Sequence, residues 1–343
     1  MAKVRSLDDG ARAAWDRFVA DCPDATFFHR AGWQRVLDRA FGHATHYLFA
    51  EEDGAITGVL PLTHLKHPVF GNALVSNAFC VYGGPAAATA EARLALEKAA
   101  LDLGARLDVD RVEFRGIRPG GGEGWTPKSD LYVTFRRAID PAAEKNMLAI
   151  PRKQRAMVRK GIKLGLTSEI DPTPDRLHRV YSESVRNLGT PVFARRYFAE
   201  LMREFGPDCD VVTVVHEGRA VSAVLNFYFR DQVLPYYGGG TAAARDLAAN
   251  DFMYWEVMRR AGERGLRVFD FGRSKRGTGA FEFKKHWGFE PETLHYEFHL
   301  RHGASVPDIN PLNPKFRMFV ALWKRLPLPV ANLLGPQIVK HLG

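Results

Sequence analysis

The chain has 343 residues, 46% hydrophobic and 25% charged, an ordinary globular composition with length for two units of roughly 150 residues. Its net charge of +9 and isoelectric point near 9.5 favour anionic partners (nucleic acid, nucleotide-linked substrates, acidic lipid headgroups) without choosing among them. Cys22, Cys80 and Cys209 lie far apart with no C-x-x-C, residues 1–30 carry charge throughout, and no apolar run approaches about 18 residues; this excludes a disulfide framework and a bilayer span and reads as a cytoplasmic protein without an evident signal peptide.

In chain order, residues 8–20 and 26–41 carry apolar side chains at helical spacing. Residues 45–50 and 55–65 read as strands about the turn Glu52-Asp53-Gly54, and 72–82 as a third extended stretch. An alanine- and leucine-rich helix is expected over 89–107, then a strand over 111–117 and a glycine cluster at 120–124. The second half echoes this order. Glu52-Asp53-Gly54-Ala55 returns as His216-Glu217-Gly218-Arg219, and Val81-Tyr82-Gly83-Gly84 as Tyr236-Tyr237-Gly238-Gly239. A helix follows each time, at 89–107 and 250–266; then Val112-Glu113-Phe114-Arg115-Gly116 is matched by Val268-Phe269-Asp270-Phe271-Gly272. Three echoes in one order predict two copies of one α/β unit, each a mixed sheet flanked by helices. The segments are 1–140, a basic linker helix 141–165, a second unit 166–302 and a basic, apolar tail 303–343.

Two basic stretches stand out. Residues 151–164, PRKQRAMVRKGIKL, place Arg152, Arg155 and Arg159 on one helical stripe, with Met157 and Val158 opposite. That stripe is either a rail for phosphates or a solvated helix face. Residues 268–289, VFDFGRSKRGTGAFEFKKHWGF, read as a strand, a basic loop and a short helix stopped by Gly288. Arg273, Lys275, Lys284 and Lys285 surround the strand–helix turn, and cations beside free helix-start N–H groups suit a phosphate or carboxylate. Only the second copy has this helix, which makes it the expected reaction centre.

The tandem units, the basic helix and the F-x-F-K-K-x-W-G pattern resemble the Fem-type peptidyltransferases and the wider class with a Gcn5-related acyltransferase (GNAT) fold. Within that class the chain is most similar to FemAB-like proteins associated with exosortase (PEP-CTERM) systems, over about residues 26–301. The resemblance implies acyl or aminoacyl transfer to an amine. The donor would be anionic, aminoacyl-tRNA or another activated acyl carrier, and the acceptor a peptide, sugar or lipid-linked amine. Acyltransferases of this fold that use acetyl-CoA usually carry Q/R-x-x-G-x-G/A before the central helix; here that stretch is GGGTAAARDLAAN, so no cofactor is expected.

Amide formation needs an amine deprotonated, an oxyanion stabilised and two reactants held together. No Ser-His-Asp, Cys-His or metal-ligand pattern is present, which leaves positioning and electrostatics. Lys284 is the candidate for the oxyanion or a donor phosphate, Tyr237 for a hydroxyl on the reacting carbonyl, and Asp270 for the amine's proton or for orienting Lys284. Substrate-binding candidates are Lys285, Arg273, Lys275, Arg152, Arg155, Arg159, Trp287 and Asn250. The alternative is a catalytically silent double unit that holds an anionic glycan, peptide or lipid-linked precursor. In the tail, 315–325 reads KFRMFVALWKR, a basic amphipathic helix broken by Pro327 and Pro329, with a second apolar segment at 330–342. Residues 310–343 either pack on the second copy or lie on an anionic membrane at its inner face.

Overall fold

The repeat begins in two tight hairpins whose turn residues need left-handed backbone. Asp53 and Gly54 have φ of 49° and 78°, and Glu217 and Gly218 have 49° and 74°. Positive φ at both central positions matches the twist of paired antiparallel strands, which is why an acidic residue and glycine recur there. The computed structural model, which describes residues 2–120, 122–306 and 314–343, shows these turns closing Ala44–Glu52 onto Ala55–His67 and Cys209–His216 onto Arg219–Phe229. Each hairpin carries an irregularity near its turn, between Ala50 and Glu51 in one and Val214 and Val215 in the other.

The first unit comprises Met1–Tyr132, Thr293–Pro307 and Lys340–Gly343. Its sheet runs in the order Lys3–Ser6, Ala44–Glu52, Ala55–His67, Gly71–Ser76, Arg111–Gly116, His295–Leu300, Thr126–Lys128. Gly71–Ser76 and Arg111–Gly116 are parallel, which requires a crossover, and helix Ala90–Arg106 supplies it. Thr89 caps that helix through a side-chain bond from Ala92 N. Leu96, Ala100 and Leu103 on its inner face meet Leu60, Leu74 and Val112 of the sheet.

The second unit comprises Val133–Glu292 and Asp308–Val339. Its sheet runs Ser274–Lys275, Tyr132–Ala138, Val268–Asp270, Gln232–Gly240, Arg219–Phe229, Cys209–His216, Thr167–Ile170. Here the parallel pair is Gln232–Gly240 with Val268–Asp270, joined by helix Ala249–Glu263. Both halves are thus mixed sheets flanked by helices, with one parallel pair in the same place, as the repeat predicts.

The segment boundaries read from the sequence are corrected at three points. Strand His295–Leu300 pairs with Arg111–Gly116 and Thr126–Lys128, so it belongs to the first sheet and not the second. Strand Tyr132–Ala138 pairs with Val268–Asp270, and Val133 and Phe135 lie in the second core. A repeat alignment treats each copy as contiguous, so strands taken from the far end of the chain escape it. The supposed linker helix, Arg152–Lys163, is part of the second unit: Val158 is buried, and a Cβ on Gly161 would lie 3.0 Å from Phe252 Cβ.

Smaller differences have local causes. Residues 26–41 divide into the 3-10 turn Phe27–His29 and helix Gly32–Phe41, because the Thr26 side chain accepts from Phe28 N and closes a separate cap. Strand Gly71–Ser76 stops short of Tyr82, and Phe79 turns left-handed at φ 62°. Two helices that the sequence reading leaves unassigned, Asp175–Leu188 and Arg195–Phe205, cover the second sheet. In the tail, Pro314–Trp323 and Leu328–Val339 are helical; Pro329 sits in the first turn, where a missing N–H costs nothing, so it opens the second helix. Residues 310–313 of the tail reading lie outside the described residues. None of the described helices is long and apolar enough to cross a membrane.

Candidate active site of the second unit

The parallel pair parts almost at once. Gln232 and Val233 face Val268 and Phe269, and beyond them Gln232–Gly240 continues on Arg219–Phe229 alone. A register shift between Leu225 and Asn226 puts Tyr236 in a bulge of the kind that re-aims side chains. The glycine run that follows is explained by close approach on alternate faces. A Cβ on Gly239 would lie 2.6 Å from Ser184, and one on Gly238 would lie 3.2 Å from the Tyr254 hydroxyl. On Gly240 it would meet Ala244 Cβ at 2.5 Å and Asn250 Oδ1 at 2.7 Å. Glycine lets helix Asp175–Leu188 close on one face and helix Ala249–Glu263 on the other.

Beside the parting strands, the turn 270–273 is held from two directions. Asp270, fully buried, accepts from Gly272 N at 2.7 Å and from Thr134 Oγ1 at 3.2 Å. Lys284, 8% exposed, donates to the carbonyls of Phe271, Gly272 and Arg273 at 2.7, 2.9 and 3.2 Å. Thr278 accepts from Phe281 N to start helix Gly279–His286, and Gly288 ends it at φ 78°. That frame carries Lys284 inward. Burial pushes the Lys284 ammonium down to about 7; the Asp270 carboxylate opposes this and the Arg273 guanidinium adds to it. Phe135 and Phe271 rings lie 5.6 and 5.8 Å from Nζ.

The structure brings Lys284, Asp270 and Arg273 together on this turn; Tyr237 goes elsewhere. The Tyr237 hydroxyl is 2.9 Å from that of Tyr197, and its ring packs among Tyr181, Phe193 and Phe198, on the face that Gly239 shares. Trp287 is buried, with Nε1 donating to Asp251 Oδ1 at 2.9 Å. The same oxygen accepts from Gln154 Nε2 at 2.8 Å, so one carboxylate ties the basic helix and the Lys284 helix to helix Ala249–Glu263. Burial raises the Asp251 pKa against those two bonds. Asn250 opens helix Ala249–Glu263, and its buried Oδ1 has no hydrogen-bond partner among the described residues. Arg152 and Arg159 are exposed, while Arg155 is half-buried and reaches the Leu148 carbonyl at 3.5 Å. Lys285 is exposed, over the Phe281 ring at 5.6 Å; Arg273 and Lys275 are half-buried.

Sequence reasoning missed the side chains between these groups. Tyr254 meets Phe271 at 4.9 Å, Phe283 at 5.6 Å and Trp287 at 6.4 Å, filling the gap beside Gly238. Burial pushes its phenol up to about 12 and pushes Tyr181 higher still. Tyr254 stands one helical turn after Asn250, a spacing that identifies it once the helix start is known. Glu183 was missed as well. Its Oε1 accepts from Ala242 N at 2.8 Å, in the loop where a pyrophosphate would need free N–H groups. The amides of Ala244, Leu247 and Ala248 are bonded within the same loop. The Glu183 carboxylate and these loop bonds occupy several of the N–H groups that a pyrophosphate would use here.

Residues 152–285 match a family model described as an acetyltransferase (GNAT) domain. No curated protein matches the chain. Among solved structures, the chain is similar to FemX, with TM-score 0.71 and 16% identity over 87% of this chain and 97% of that one. It is also similar to the C-terminal domain of a protein named as a lysylphosphatidylglycerol synthetase from Agrobacterium fabrum, with TM-score 0.57 and 15% identity over 84% and 91%. A tandem GNAT protein from the clavulanic acid biosynthesis pathway gives TM-score 0.55 and 14% identity over 89% and 100%. The fold is that of GNAT acyltransferases, in tandem.

Proposed function

We propose that the chain is an acyl- or aminoacyltransferase that forms an amide on an amine of a cell-envelope or exopolysaccharide-related acceptor, as in the exosortase-associated FemAB-like branch. The observation that carries this reading is the buried Lys284 closed onto the turn 271–273 of a GNAT-type unit, where the parallel strands part. In the reaction the acceptor nitrogen attacks the donor carbonyl, a C–N bond forms, and the bond from the acyl group to its carrier breaks. The amine's proton ends on the departing carrier atom. No covalent enzyme intermediate is needed, since orientation and a fixed field lower the barrier.

Each residue has a stated task in this reading. Lys284 and Asp270 are positioning residues: one holds the carbonyls of the turn, the other its amide, and the cation sets a positive field there. Arg273, Lys275 and Lys285 receive the anionic donor, aminoacyl-tRNA or another activated carrier, with Arg152, Arg155 and Arg159 as further phosphate contacts. Asn250 offers its unpartnered Oδ1 to a donor N–H, and Trp287 holds the helix that carries Lys284. Mass spectrometry of ligands retained on the purified chain tests this. An aminoacyl or acyl carrier supports transfer; a glycan retained alone overturns it.

The terminal helices support peripheral attachment to an anionic membrane at its inner face. One side packs on the second unit: Trp323, Ala331, Gly335 and Val339 are buried, with Gly335 against Val192. Met318 and Leu333 remain 73% exposed, and Phe319, Leu322 and Leu334 are exposed with them. Arg317, Lys324 and Arg325 are exposed on the same segment. Cations near an anionic surface contribute about 1 kcal/mol each, enough for reversible attachment.

A second reading is favoured by one specific observation. All three Lys284 N–H groups are taken by carbonyls, and Glu183 takes a loop amide, as in a unit that binds without reacting. In that case the double fold holds an anionic glycan, peptide or lipid-linked precursor.

A further inference from the structure

Residues 68–70 join strand Ala55–His67 to strand Gly71–Ser76, and this turn fixes the protonation state of a histidine. Val69 N donates to His67 Nδ1 at 3.1 Å, so that nitrogen is an acceptor and the ring is neutral. The His67 ring centroid lies 4.2 Å from that of His341 and 4.9 Å from that of Phe70. Lys340 and His341 form the turn that follows helix Leu328–Val339, and Lys340–Gly343 belongs to the first unit with the hairpin. Beside these rings His43 Nε2 donates to the Lys340 carbonyl at 2.8 Å.

The charges that act on His43 are those of His341 and Lys340, and those that act on His341 are His67 and Lys340. Lys66, next to His67 on its strand, is exposed. Across the turn Asp110 accepts from Asn72 N at 2.9 Å near the Arg111 guanidinium, and it acts on neither His43 nor His341. Protonating His67 turns Nδ1 from acceptor to donor, which breaks the Val69 bond and sets a cation against the His341 ring. His43 does not sense the change, because its Nε2–H keeps the Lys340 bond whether or not the ring is charged. We propose that His67 and His341 form an acid-released latch: neutral, they hold the turn 340–341 on the hairpin; charged, they free residues 68–70 and 340–343 together. The sign agrees with the electrostatics. Burial holds the His341 pKa below its ordinary 6.5, and the His67 ring and Lys340 add to this. The undocked segment therefore binds more protons, and docking is lost as pH falls through that range.

Hydrogen exchange of the full chain at about pH 7.5 and about pH 5.5, on either side of the histidine range, tests the latch once each rate is divided by its intrinsic value. Protection at Val69 and in 341–343 is expected to be at least about 10-fold lower at the acid pH, while helix Ala90–Arg106 keeps its own. In His67→Asn combined with His341→Phe, the new amide oxygen can still accept from Val69 N and the new ring can still pack, but neither side chain titrates. That double variant is expected to be equally protected at both pH values. Equal protection of the parent chain at both, or a loss of the same size in the double variant, overturns the proposal. If the double variant does not fold, NMR titration of the two imidazoles in the parent chain decides. Two coupled steps that the Phe70 ring shifts follow support the latch; two independent steps at the ordinary value overturn it.

Discussion

Lys284 donates to the carbonyl of Phe271 at 2.7 Å from a position almost sealed from water. A buried ammonium bonded to main chain is a device for fixing backbone, and the next two carbonyls along the turn share it. The pH dependence follows from the burial. The folded pKa of Lys284 is about 7, below its ordinary 10.5, so between those values the unfolded chain binds more protons than the folded one. Stability is therefore expected to rise as pH goes from about 7 towards 10, at up to roughly 1.4 kcal/mol per unit from this group. Urea titrations across that window are the check. Lys284→Met is expected to remove that component of the slope; an unchanged slope would place the charge elsewhere.

Asp251 gives the opposite sign. Burial raises its folded pKa, so the folded state binds more protons just above 3.8, and stability is lost as pH rises through the folded value. Asp251→Asn keeps an acceptor for Trp287 Nε1 and Gln154 Nε2 and discards the buried charge. It is expected to be neutral or stabilising at pH 7. Asp251→Ala leaves the Trp287 N–H without its acceptor and is expected to cost about 1–3 kcal/mol. Thermal denaturation of the two variants, measured together, separates charge from hydrogen bonding.

Tyr237 tests whether a hydroxyl takes part in the chemistry. Its oxygen bonds to Tyr197, and aromatic rings surround it. Tyr237→Phe is expected to cost roughly 0.5–1.5 kcal/mol of stability and to leave turnover within about 3-fold. A loss of about 10²-fold, the scale of a missing oxyanion donor, would return Tyr237 to the reaction.

Much of the fold was legible from sequence because local chemistry repeats. The acidic-glycine hairpins and the strands closing on Gly116 and Gly272 are short-range patterns, and Asp53 and Glu217 show the backbone requirement behind them. The exchange of His295–Leu300 was not legible. Its alternation suits an inner strand of either sheet, and nothing local says which partner it will find. At the site, Lys284 stood out as a cation between aromatics. Tyr254 and Glu183 did not, since a tyrosine on a buried helix face and a half-buried glutamate look like packing and solvated surface. Tyr237 shows the converse: the Tyr-Tyr-Gly-Gly echo marked a bulge and two close helix approaches, and the hydroxyl was incidental to both.

The exposed apolar side of the terminal helices is expected to bind vesicles. Full-length chain should sediment with vesicles containing anionic lipid. Met318→Ser, Leu322→Ser and Leu333→Ser combined should reduce that binding without unfolding the chain, because none of the three is buried. Equal sedimentation of both would show that this face has no part in attachment.

Amide formation under control of Lys284 is tested most directly by a transfer assay. Full-length chain and Lys284→Ala are supplied with labelled aminoacyl-tRNA, or with activated acyl carriers, and with peptide, amino-sugar and lipid-linked amines; product is read by mass spectrometry. The expected result is an amide made by the parent chain, lowered about 10²-fold or more in Lys284→Ala. An amide formed equally fast by a folded Lys284→Ala, or none from any donor while an anionic glycan binds tightly, would contradict it.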